Sequence, residues 1–303
     1  MNWLIICLVF IKISIASYSK SDFELQKMEI MQLLPTQSSV GVAAVAVKRD
    51  MLTQLNTEQL DDYLKKHPVP VILAPSGNYY LVDHHHLCTA LLEMKVRKTY
   101  VEVWDLSQYE NGKKKSVKLV KDNSKSKDKS DRSKSGQEKK SRNPVDQTTD
   151  QTEDQKMDEF WQQMKENNFV YLKKQDGSAI DPKDLPKRIV DLQDDPFRSF
   201  AYYFRDFGGY DKVSIPFLEF MWGDFLRKKM SLDGIKLPMT VAELTMMQAV
   251  MRSGRPLDSS NESQRSLLPF YNKVIDALGH VNSPEAAGLP GSKYNKNSCY
   301  KYY

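Results

Sequence analysis

The chain is 303 residues long and 40% apolar, with Lys+Arg 44 against Asp+Glu 39 and a formal charge of +5. That apolar share is enough to bury one or two cores, which excludes a wholly disordered or collagen-like chain, and three cysteines exclude a disulfide scaffold. The charge is unevenly placed: Lys113 to Arg142 holds thirteen Lys/Arg and four Asp/Glu, a local +9, which leaves 31 against 35, or −4, for the rest.

In chain order, Trp3 to Ile11 is an apolar run, followed by Lys12 and a second stretch from Ile13 to Ala16. A spanning helix needs about twenty apolar residues. The run therefore reads as the core of a secretory signal peptide over residues 1–17, with the small residues Ser14 and Ala16 near the cut; an uncleaved anchor and a buried N-terminal strand are the alternatives. The expected location is secreted or within the secretory pathway, with no membrane span after signal removal. Cys88 and Cys299 would remain, either paired or as two free thiols. Asn261-Glu262-Ser263 is an N-glycosylation acceptor pattern compatible with export.

From Leu34 to Leu106 the pattern changes every ten residues or so. Val40 to Val47 reads as a short β-like run, and Thr57 to Lys66 as a helix behind a Thr cap. Val69 to Ala74 reads as a strand, Pro75 to Asn78 as a hairpin turn, and Tyr79 to Val82 as the returning strand. Leu87, Ala90, Leu91 and Met94 then recur at helical spacing, and Tyr100 to Trp104 is a closing strand. The segment 18–110 is thus a compact α+β unit with a strand-to-helix junction at Asp83-His84-His85-His86.

Residues 111–156 are dominated by Lys, Ser, Asp, Gln and Thr, and the sequence predicts a disordered linker there. Order is expected to return over 157–282: a helix start at Met157, a hairpin around Asp176-Gly177, two amphipathic helices between Asp191 and Met230, a third from Thr240 to Arg252 and a fourth from Ser266 to Leu278. Residues 283–303 read as a flexible tail.

A helix N-terminus carries partial positive charge and unpaired N–H groups, so the histidine junction suits a phosphate or carboxylate. Imidazoles there can bind the anion, move protons near neutral pH or ligate a metal, and Asp83 can cap the helix or hold one ring in a fixed tautomer. Successive helical residues point about 100° apart, so at most two of the three histidines share a site. Three readings stay open on residues alone: an anion or phosphodiester site, a metal site, and polar capping without chemistry. No Cys pair or HxxxH spacing supports zinc.

A second cluster, Asp194-Asp195-Pro196-Phe197-Arg198-Ser199, has the form of an N-cap followed by proline. Arg198 and Arg205 are seven residues apart and share a helix face, able to clamp a phosphate or to pair with Asp194, Glu219 or Asp224. The phosphate-loop, dinucleotide, nucleophile-elbow and HExxH motifs are absent. The Lys-rich run has no interleaved aromatics and reads as a solvated linker, with polyanion contact as the alternative.

Leu34-Pro35-Thr36-Gln37-Ser38-Ser39-Val40-Gly41, Val69 to Ala74 and Asp83-His84-His85-His86-Leu87 resemble the ParB-like nuclease family, an offshoot of the ParB/sulfiredoxin superfamily. Asp194 to Phe200, Gly208-Gly209-Tyr210, Glu219 to Arg227 and Ala286 to Gly291 are similar to the second half and C-terminal signature of that family. The resemblance implies a small ParB/sulfiredoxin-like mixed core with a helical C-terminal region packed on it, and a junction that handles phosphates. The sequence departs from the sulfiredoxin pattern, having no cysteine before His86, and lacks the GERRxRA box of the chromosome-partitioning branch.

The resulting expectation is a phosphate-ester hydrolase of nuclease or phosphodiesterase type. Asp83, His85 and His86 are the catalytic candidates, and His84, Arg198 and Ser199 the phosphate-binding ones. A divalent ion such as magnesium has Asp83, Asp194 and Asp195 as available oxygen ligands, and no metal site is assigned. Nucleic acid or a nucleotide is the expected partner, with polyanion contact through the basic linker. The alternatives are a nucleotide-dependent phosphotransferase on a small molecule and a non-catalytic exported polyanion-binding module.

Overall fold

A computed structural model describes residues 25–110, 113–114, 152–213, 215–255 and 257–294. The expected signal peptide, nearly all of the Lys-rich linker and Cys299 lie outside them. Among the described residues no helix is long and apolar enough to cross a membrane.

The first half comprises β1 (Leu25–Glu29), β2 (Leu33–Pro35), β3 (Ser39–Val40), α1 (Val42–Thr53), α2 (Thr57–Lys66), β4 (Val69–Leu73), β5 (Tyr79–Leu81), α3 (His85–Glu93) and β6 (Lys98–Trp104). The short strands β7 (Tyr109–Glu110) and β8 (Lys113–Lys114) follow. After them come α4 (Glu153–Glu166), β9 (Gln193–Asp194), α5 (Pro196–Asp206), α6 (Leu218–Arg227), α7 (Val241–Ser253) and α8 (Glu262–Val281).

Five strands form a mixed sheet in the order β1-β6-β4-β5-β2. β4 pairs parallel to β6 and antiparallel to β5, with Val71 opposite Leu81, and β2 lies parallel to β5. The side-chain alternation of a strand sorts β4 onto two cores. Val69 and Val71 face α1 and α3, among Val45, Leu52, Leu87, Cys88 and Leu91. Ile72 faces the other side, with Trp104, Phe160, Met164 and Phe169. A third, larger core belongs to the helical C-terminal region, where Phe200, Tyr203, Phe204, Trp222 and Phe270 are fully buried. The fold is α+β, a five-stranded mixed sheet with helices and a largely helical C-terminal region, as the sequence led us to expect.

Several local expectations change. Val40 to Val47 is not a strand: beyond Val40 it is the first half of α1, and the run of small and branched apolar residues lacks the alternation that a half-buried strand needs. α2 starts where expected, but its cap is Asn56 in a reciprocal capping box with Gln59, not Thr57. α4 begins at Glu153, inside the expected linker, because Thr152 and Gln155 form a second such box. α8 extends four residues before and three beyond the expected helix and carries Pro269 within it.

Part of the expected tail is packed. Trp222 Nε1 donates to the Pro290 carbonyl at 2.9 Å, and Asp211 N–H donates to the Gly291 carbonyl at 2.7 Å. Gly291 has φ 73°, and a Cβ there would meet the Asp211 carbonyl, so both the backbone conformation and the close approach require glycine.

Candidate phosphate site at the histidine junction

Backbone pairing joins the two halves of the chain beside the start of α1. β3 pairs parallel with β9, Val40 opposite Asp194, and Asp195 N–H donates to the Val40 carbonyl at 2.7 Å. Tyr171 N–H donates to the Thr36 carbonyl at 2.9 Å, and Gln193 N–H to that of Ser38 at 3.1 Å.

The start of α1 is bonded by side chains from elsewhere. A helix leaves its first amides without intrahelical acceptors. Gly41 N–H donates to His86 Nε2 at 3.1 Å, Val42 N–H to Asp194 Oδ1 at 2.8 Å, and Ala44 N–H to Ser199 Oγ at 3.0 Å. Ser199 is therefore not a phosphate ligand: it is fully buried, and its hydroxyl joins α5 to α1. A Cβ on Gly41 would stand 2.3 Å from Ser199 Oγ and 2.6 Å from its nitrogen. Gly41→Ala is accordingly expected to cost about 1–3 kcal/mol through overpacking. An unchanged urea midpoint would show that the joint can yield.

The three histidines point in different directions. His85 is buried, and its Nε2 accepts from Thr36 N–H at 3.2 Å; the Thr36 hydroxyl donates to the Leu81 carbonyl at 2.7 Å. Because an amide N–H fills the Nε2 lone pair on both His85 and His86, each neutral ring carries its proton on Nδ1. Burial, with the Arg198 charge second, pushes His85 down to about 3 and holds His86 well below the ordinary imidazole value. Neither ring is set up as a general acid or base near neutral pH, contrary to the proton-moving role considered from sequence. Each neutral ring instead keeps one Nδ1–H.

His84 occupies the cap position of α3 with φ 69° and ψ 23°, a left-handed conformation uncommon outside glycine. Asp83, exposed, accepts from His84 N–H at 2.6 Å and so organises the turn; it makes no hydrogen bond to the ring of His85 or His86. Both ring nitrogens of His84 are enclosed without a hydrogen bond of normal geometry. Its pKa is lowered by burial and by Lys48 and His67, against the pull of Asp83 and the His67 carbonyl.

No side chain caps α3 among the described residues. The starts of the two helices thus differ: the leading amides of α1 are engaged by His86, Asp194 and Ser199, while α3 has no side-chain cap.

Arg198 lies close enough for its charge to depress both His85 and His86, and it is also held on the other side. Its Nη1 is 3.4 Å from Glu219, its guanidinium lies 4.7 Å from the centre of the Phe220 ring, and Nε and Nη1 are enclosed without hydrogen bonds. Arg205 ion-pairs with Glu219 as well, so one buried carboxylate faces two guanidiniums. Burial raises Glu219, but the fields of Arg198 and Arg205 outweigh it and leave its pKa below the ordinary value. The pair of arginines shares a face, as their spacing implied, and that face is turned to Glu219.

The oxygen ligands considered for a divalent ion do not converge. Asp194 accepts from Val42 N–H, while Asp195 accepts from Phe197 N–H at 3.0 Å and pairs with Arg227. Among the described residues no group of three or more His, Cys, Asp or Glu is arranged to hold a metal. Cys88 is buried and unpaired, its thiol pKa pushed up by burial.

The family described as Putative ParB-like nuclease matches residues 26–126 and 129–228, more than half of the chain and both sides of this junction. The chain belongs to that family. A likeness in shape is seen with the crystal structure of protein Atu1540 from Agrobacterium tumefaciens, at 27% identity and a TM-score of 0.57, covering 91% of this chain and 100% of that one. No curated protein matches the chain. Within this family member, the sequence pointed to the histidine motif and Arg198 but missed Thr36, Gly41 and Tyr171. Thr36 and Gly41 stand in the stretch that carries the family resemblance, and their backbone amides, which leave no mark on side-chain chemistry, are what they contribute.

Proposed function

We propose that the junction binds the phosphoryl group of a phosphate ester and that the protein is a hydrolase of nuclease or phosphodiesterase type. The observation that carries this reading is the uncapped start of α3, which adjoins two neutral imidazoles and the guanidinium of Arg198. Backbone N–H groups at a helix start, fixed N–H donors and a guanidinium are the groups that stabilise charge on phosphoryl oxygens.

In this arrangement Arg198 neutralises charge that grows on the phosphoryl group as the ester bond breaks. His85 and His86 stay held through their Nε2 atoms by Thr36 and Gly41 N–H, each with an Nδ1–H left to donate. The exposed Asp83 carboxylate is the group at the junction suited to accept a proton from attacking water, since neither buried ring has a free basic lone pair.

The test is hydrolysis of a phosphodiester panel that includes single-stranded DNA, RNA and an activated aryl diester. Arg198→Met is expected to lower kcat about 100-fold, the scale of losing one oxyanion donor. Full activity in both Arg198→Met and His86→Ala, on every ester the parent cleaves, would exclude the assignment.

A further inference from the structure

Lys48 lies outside every motif that the sequence singled out. It sits on α1, seven residues after Gly41, which returns it to the same helix face about 10 Å further along. Long helical side chains slope toward the N-terminus, so its stem runs back toward the end where Gly41 N–H meets His86. The charge of Lys48 acts on both His84 and His86, and Asp83 and Asp206 act on Lys48, which places the ammonium beside the histidine junction.

Lys48 is half-buried, yet among the described residues its ammonium has no ion pair and no hydrogen bond. Its neighbour Arg49, on the exposed side, pairs with Glu93 at 2.7 Å. The two carboxylates nearest Lys48 are engaged elsewhere: Asp83 on His84 N–H at 2.6 Å and Asp206 with Arg205 at 3.4 Å. A desolvated cation without a partner is costly in a folded protein. The His84 ring is enclosed beside it, with no hydrogen bond of normal geometry at either nitrogen.

We infer that Lys48 is a ligand for the phosphoryl oxygens at this junction, with the incoming anion supplying the partner that the protein withholds. The inference rests on the phosphate reading above and extends it. The anion sits between the uncapped start of α3 and the α1 lysine, with Arg198 approaching from α5. The ligand class that follows is a compact, multiply charged phosphate, a terminal phosphate or a pyrophosphate, whose additional negative charge meets Lys48 while Arg198 keeps its pair with Glu219.

The test is titration of the full chain with inorganic phosphate and with pyrophosphate by calorimetry, beside thermal melting. Lys48→Met should weaken pyrophosphate binding at least about tenfold, the scale of one charge-assisted hydrogen bond. It should also raise the melting temperature, because an unpaired desolvated charge is removed while the aliphatic stem is kept. Lys48→Arg should retain binding, and Arg49→Met should change neither quantity. A Lys48→Met protein that binds as tightly as the parent overturns the inference, and so does one that melts lower. If Arg198→Met loses binding while Lys48→Met keeps it, the phosphate site stands without Lys48. If the parent binds neither anion, the phosphate reading falls together with the inference.

Discussion

Arg227→Met is expected to destabilise the protein by about 3–5 kcal/mol, the range for removing one partner of a buried ion pair. Asp195 is the reason. Its side chain is 7% exposed, and Arg227 Nη2 donates to both of its carboxylate oxygens at 2.7 Å. Methionine keeps much of the stem that packs near Phe197, 5.2 Å from the guanidinium, but leaves the carboxylate with only Phe197 N–H. Arg227 also bonds Asp224 and the Gln175 carbonyl, so the loss spreads to the 171–177 turn. Chemical denaturation measures the effect. A loss below about 1 kcal/mol would mark the pair as a surface contact of ordinary value. Adding Asp195→Asn to Arg227→Met should recover part of the loss, since the stranded charge is then gone while an acceptor for the cap remains.

Acid should act through His85. A free imidazole titrates near 6.5, and in the fold burial and Arg198 take His85 to about 3. Between those values the unfolded chain binds a proton that the folded chain refuses, so stability present above pH 6.5 is lost as the pH falls toward 3. The loss from this one ring is roughly 3 kcal/mol between pH 7 and pH 4, and His86 adds to it in the same direction. His85→Gln keeps an acceptor for Thr36 N–H and removes the titration. Its denaturation midpoint should fall much less than the parent's over that interval, even if it starts lower at pH 7. Parallel pH profiles for the two proteins would show that His85 is not the acid-sensitive group.

Much of the fold was legible in the sequence because its signals are local. The hairpin between Val69 and Leu81, the α2 helix, the helix behind the histidines and the Asp195-Pro196 start of α5 each carry their turn, cap or periodicity within a few residues. The α1 helix was not legible because its start is secured from afar: the three side chains that take its leading amides come from residues 86, 194 and 199. The same distance hid the protonation of the histidines. His85 and His86 could be picked out as chemically capable residues, but that their Nε2 atoms are filled by Thr36 and Gly41 is a property of the assembled backbone. Arg198 was legible as a charge. That Glu219 would face both it and Arg205 was one of several pairings their spacing allowed.

The long-range stitching at Thr36 to Ala44 also bears on when the protein acquires its chemistry. A chain emerging from the ribosome presents the histidine motif early, but α1 still lacks Asp194 and Ser199 for its leading amides, and β3 lacks its partner β9. Arg198, which depresses the two buried rings and completes the set of cations, arrives more than a hundred residues after His86. A truncated product that ends before residue 194 therefore lacks the acceptors that Val42 and Ala44 N–H find in the full chain. The second half therefore supplies the partners that complete the junction: Asp194 and Ser199 for the start of α1, and β9 for β3.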